Sequence, residues 1–277
     1  MSAASLPHTV LILLAELAIG GLAMITVFDA RGQVTAGYVK AGALTVLPLA
    51  ILAGWISLTL APADAIEGYL LTPAWRQPFG AALAAFVVAA CAHTVAALLE
   101  RRRIEVVLGV AGSAIGVAAL GFLAGLLGAP AWSVVGMFLS LMASTAVLGA
   151  SLMAMLWGHW YLTSGRLPKE PMEQMSLVLI ALIVFQIVTV VLGVMIAPRA
   201  VPLAEGSLTL ALSANPALWL RVAVGLVFPL VVAVLAWKAA TIRGMMSATG
   251  LLYIVLGLLL AGEVLARGLL FTTGAAV

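Results

Sequence analysis

The sequence predicts an all-α integral membrane protein of about eight transmembrane helices, arranged as two tandem four-helix units. Three observations predict it. Of 277 residues, 65% are hydrophobic and 8% charged, with a mean hydropathy of +1.25, whereas a soluble domain is about a quarter charged. Apolar stretches close to the ~20 residues that cross a bilayer recur along the whole chain. A set of short motifs returns in the same order roughly 140 residues later.

The spans follow in order. The first, His8–Phe28, closes at the turn Asp29-Ala30-Arg31-Gly32. The second, Ala41–Leu60, ends at Ala61-Pro62. The third, Phe79–Leu99, enters after Pro73-Ala74-Trp75-Arg76 and stops at the triplet Arg101-Arg102-Arg103, from which the fourth, Ile104–Leu127, departs. Trp132–Leu162 is followed by the polar loop Gly165–Pro171, and Met175–Ala197 ends at Pro198. Leu218–Ala240 contains Pro229, where a kink is expected, and Met245–Phe271 completes the set.

Charge sets the expected orientation. One side holds Arg31, Lys40, Arg101, Arg102, Arg103, Arg166, Lys169, Lys238 and Arg243; the other holds Arg76, Arg199, Arg221 and Arg267. Basic residues crowd cytoplasmic loops, so both termini are expected outside a bacterial cytoplasmic (inner) membrane. No basic residue precedes the first span, so it reads as a retained helix rather than a cleaved leader. The lone Cys91 excludes an intrachain disulfide and a cysteine-ligated cluster. The small positive net charge reads as orientation signal, and nucleic acid is not an expected partner.

The repeat sets the expected units. Ala61-Pro62, Glu67-Gly68, Pro73-Ala74 and Arg76 are matched by Ala197-Pro198, Glu205-Gly206, Pro216-Ala217 and Arg221. Each set joins the second span of a unit to its third. Residues 1–130 and 131–277 are therefore expected to be two four-helix units of the same orientation, related by an axis along the membrane normal.

Ionisable residues inside spans are costly and mark function by default. They fall into two groups. His93 and His159 lie at matching depth, about 12 and 10 Å from the basic side, on different helices. Two such imidazoles are what a b-type haem requires as axial iron ligands; the alternative leaves each in a helix–helix hydrogen bond. The outer half holds Glu16, Arg221, Glu263 and Arg267, and Gln186 is an uncharged polar residue within the sixth span. Glu263 and Arg267 are four apart and can pair on one helix face. A quinone head group needs hydrogen-bond donors and a group that handles its protons. His8, Glu16, Glu263 and Arg221 are the candidates. The alternative is mutual neutralisation of Glu263 and Arg267, with Arg221 reaching outward.

Glycines such as Gly20, Gly21, Gly112 and Gly116 read as helix-packing positions. The chain has no nucleotide-binding loop, zinc-protease motif or nucleophile elbow.

With its span count and the opening run from His8 to Gly21, an apolar helix that carries a polar residue and ends in small ones, the chain resembles the membrane-anchor subunits of the dimethyl sulfoxide reductase and polysulfide reductase type. The resemblance implies a subunit without catalytic activity of its own. It would exchange electrons between a quinone (menaquinone or ubiquinone) and a hydrophilic partner bearing iron–sulfur clusters or molybdopterin. It also implies a quinone pocket in the first bundle, and His8 and Glu16 are the positions carried over to it. Many members lack haem, which leaves His93 and His159 another role. A transporter or channel built on the repeat, and a purely structural or assembly subunit, remain as alternatives.

Overall fold

A computed structural model describes residues 5–128, 133–164, 167–195 and 212–277. Among the described residues the secondary structure is helical apart from one short hairpin, and eight helical segments are long and apolar enough to cross a membrane. They are α1 (Leu6–Ala30), α2 (Ala36–Thr59), α3 (Arg76–Leu98), α4 (Arg102–Gly128), α5 (Val134–Ser164), α6 (Glu170–Met195), α7 (Pro216–Val222) continued by α8 (Phe228–Thr241), and α9 (Met245–Thr273). It is a multi-pass membrane protein. The helices start within a few residues of the expected positions. The repeated motifs Ala197-Pro198 and Glu205-Gly206 lie outside the described residues, as do Arg166 and Arg199 of the charge count.

Two helices form the centre. Of the apolar stretch of α1, 72% is buried, and of α5, 67%, against 28% for α2 and for α6. An all-round apolar helix is either buried or faces lipid, and side-chain size decides between these here. α1 presents Gly20 to Gly149 of α5, and a Cβ on either would run into the other's backbone. In lipid no hydrophobic force drives helices together, so such close backbone approach supplies the packing. α4 lays Gly109, Gly112 and Gly116 over Thr26, Leu22 and Ile19 of α1. The outer helices instead turn large apolar side chains such as Leu58, Val88, Val107 and Ile254 outward.

The seventh span is not a plain kinked helix. A π-helical turn, Ala223–Val227, separates α7 from α8, and Pro229 follows at the start of α8. Proline has no N–H to give the carbonyl of Gly225 four residues earlier, and the widened turn accommodates the break. α2 also carries an internal proline, Pro48.

Between α2 and α3 lies the hairpin, Ala65–Ile66 paired with Tyr69–Leu70. Its turn, Glu67-Gly68, has both residues at positive φ, 51° and 86°, the requirement of a two-residue hairpin loop. Tyr69 is fully buried and donates its hydroxyl to the carbonyl of Leu127 at the end of α4. Its ring meets Phe271 of α9 edge-on at 6.1 Å. Thr72 N–H adds a bond to the Leu126 carbonyl at 3.0 Å. The hairpin thus roofs one end of the first four helices.

Candidate functional site: a roofed pocket above a buried charge network

Under the hairpin lies a cavity of ≈ 140 Å³. Its polar lining comes from His8, Ser57 and Arg76, and its apolar wall includes Ile12, Phe79, Leu123 and Phe271. Arg76 is held in place by the carbonyl of Ala63 and, at 3.3 Å, by the carboxylate of Asp64. The cavity continues sideways. Ser57, Leu58 and Gly80 also line a second space, of ≈ 290 Å³, which runs between α2 and α3 past Trp55 and Ile51 to Leu83 and Val87. Polar groups converge at the roofed end only. The groove is nearly all apolar and lies on helices that face outward. Together they fit a molecule with a ring-sized polar head and a long hydrocarbon tail.

One helical turn below the floor of this cavity lies a cluster of charges. Ile12 and Phe271 line the pocket. Glu16 and Arg267 sit four residues deeper on the same faces of α1 and α9, about 6 Å along each axis. Glu16 accepts from Arg267 Nη2 at 2.6 Å. Arg267 Nη2 also approaches Glu263 Oε2 at 3.4 Å and Ser144 Oγ at 3.0 Å. Glu263 Oε1 accepts from Arg221 Nη2 at 2.8 Å and from Gln186 Nε2 at 2.5 Å, while Ser144 Oγ donates to its Oε2 at 2.8 Å. All six side chains are at least 97% buried.

Five helices meet here, and two carboxylates face two guanidiniums, so the cluster is formally neutral. Neutrality and close pairing are the conditions under which such charges survive in a membrane interior. Pairing is incomplete, however. Glu16 Oε2, Arg221 Nε and Nη1, Arg267 Nε and Gln186 Oε1 meet no protein partner among the described residues. Gly225 and Gly262 pack backbone to backbone beside Arg221, which makes room for its guanidinium. The π-turn that follows Arg221 is therefore part of the same construction.

The structure thus brings Glu16, Glu263, Arg221, Arg267 and Gln186 together, and places His8 apart from them, in the pocket above. Sequence gave no sign of Ser144, a small hydroxyl in an apolar helix. Ser57 and Arg76 were equally unmarked as pocket residues, because a hairpin had to be folded over them first.

The histidine pair does not fit a haem. His93 is 2% exposed, with Nδ1 3.0 Å from the Glu105 carbonyl of α4. His159 is exposed near the end of α5, with Nδ1 3.3 Å from the Tyr253 hydroxyl of α9. One imidazole is enclosed within the first four helices and the other lies on the outer surface of the second four. Opposed axial ligands must instead face one another across a ring. The described cavity is lined by neither.

No family model, curated protein or solved structure matches the chain. What stands is a multi-pass membrane protein of eight candidate spans, with a two-part cavity over a buried four-charge network.

Proposed function

We propose that this chain is the quinone-interacting membrane subunit of a respiratory oxidoreductase complex, passing electrons between the quinone pool and a hydrophilic partner that carries iron–sulfur clusters or molybdopterin. The observation that carries the reading is the joined cavity: polar groups at its roofed end, and an apolar groove leaving it between α2 and α3. Membrane quinones have this shape, a ring with two carbonyls and an isoprenoid tail. Oxidation of one quinol yields two electrons, taken by the partner's metal centres, and two protons, which the protein must carry away. His8 and Arg76 offer hydrogen bonds at the head, and the hairpin shields it from water. His8 is half-buried at the rim, placed to pass a proton outward. Glu16, one turn below, has an unpartnered carboxylate oxygen and is the second proton-handling group.

A tandem of two four-helix units, 1–130 and 131–277, belongs to this proposal, as does an orientation with both termini outside the bacterial inner membrane. The close contact of Gly20 with Gly149 favours the tandem reading, because it pairs equivalent first helices of the two units.

The test uses Trp55, which lines the groove and is 62% exposed. A long-tailed quinone added to the purified protein is expected to quench its fluorescence saturably. Gly80→Leu is the discriminating variant. A Cβ there meets nothing closer than Ser57 Oγ at 4.0 Å, so the larger side chain fills the junction of pocket and groove without a backbone collision. It is expected to abolish the saturable component. Equal quenching in wild type and Gly80→Leu, or full displacement by excess phosphatidylcholine, removes the support for a quinone site.

A further inference from the structure

We propose that Asp29 and Glu105 form a proton-binding site, a carboxyl pair holding one exchangeable proton between them, at the end of the first four helices opposite the His8 pocket. Asp29 is in the last turn of α1 and Glu105 in the first turn of α4, and each is 5% exposed. Both side chains line one cleft, so the two carboxyls share one small polar space. A carboxylate only accepts hydrogen bonds, so two carboxyls can bond to each other only when one of them is protonated.

The surrounding charges favour that proton. Arg102 donates from Nε to Asp29 Oδ1 at 3.3 Å and from Nη2 to the Asp29 carbonyl at 2.7 Å. Asp29 Oδ2 meets no donor from the described residues. Lys40 of α2 is committed to Glu100 at 2.6 Å, beyond the end of α3. Arg101 and Arg103 are exposed. Arg102, itself largely exposed, bonds to Asp29 and not to Glu105, and the shared proton offsets the second buried carboxyl. His93 of α3 backs the pair. Its Nδ1 meets the Glu105 carbonyl at 3.0 Å, while its Nε2 has no partner among the described residues. A neutral ring with its proton on Nδ1 leaves Nε2 as a buried acceptor.

Water has access. A cleft of ≈ 190 Å³ is lined by Asp29, Glu100, Arg102 and Glu105, with Gly32 and Val34 of the α1–α2 turn. Gly32, at φ 68°, takes a left-handed conformation that favours glycine in that turn.

Infrared spectroscopy of the full chain in phosphatidylcholine vesicles, without added quinone, tests the assignment. At neutral pH the wild type is expected to show a protonated-carboxyl C=O band that shifts on transfer to heavy water. Asp29→Asn and Glu105→Gln, each near-isosteric, are each expected to lose that one band, so either variant suffices if the other fails to fold. Spectra of both variants identical to wild type in this region overturn the proposal. So does a lost band that never shifted in heavy water, because its proton does not exchange. Suppression of the wild-type band by sodium or calcium at neutral pH also overturns it, since the pair would then hold a metal cation. Because quinone is absent throughout, the outcome is independent of whether the His8 pocket binds one.

Discussion

Glu16 has no charged residue within a turn on its own helix, and its partner, Arg267, is 251 positions away. Spacing along one helix revealed Glu263 with Arg267, because four residues bring side chains to one face. It could not reveal which helix would be laid against Glu16. At this scale the network makes two predictions. Arg267→Met leaves Glu16 and Glu263 short of a cation and is expected to cost about 3–5 kcal/mol of stability, read by thermal unfolding in detergent. Glu16→Gln keeps size and hydrogen bonding but cannot exchange a proton. It is expected to lower quinol-dependent electron transfer in the assembled complex with little change in assembly. An unchanged rate removes Glu16 from the proton path.

Elements were largely legible because a bilayer demands their length. Where they touch was less so. Among many glycines in apolar helices, the sequence marks Gly20 as a packing position but does not show that it meets Gly149. Gly250, on α9, has nothing within 4 Å of an added Cβ. Substitution by alanine separates the two kinds of position. Gly149→Ala is expected to destabilise by about 1–3 kcal/mol, since the obstructing atoms are backbone and cannot rotate away. Gly250→Ala is expected to be neutral or to gain up to about 1 kcal/mol from helix propensity. Equal effects in a denaturation series contradict the central α1–α5 contact. The hairpin is illegible for a different reason: two-residue strands carry too little periodicity to register, although Glu67-Gly68 sits at its turn. Tyr69→Phe removes the bond to the Leu127 carbonyl and is expected to loosen this roof by about 1 kcal/mol.

At the scale of the whole molecule, two ends of the first four helices carry different chemistry. The roofed end holds His8, Ser57 and Arg76, and the basic end holds Asp29, Glu105 and the arginine triplet. The basic crowding favours placing the latter in the cytoplasm. With Cys91 replaced by serine, Asp64→Cys is expected to react with an impermeant maleimide on intact spheroplasts, and Arg103→Cys only after permeabilisation. The reverse pattern inverts the orientation. The quinone reading depends on the joined cavity, and a photoreactive azidoquinone with an isoprenoid tail tests it most directly. After illumination in native membranes, labelled peptides are expected from the facing α2 and α3 segments around Ser57 and Gly80, with loss of that label in Gly80→Leu. Labelling spread over the lipid-facing helices, unchanged in Gly80→Leu, would contradict the account.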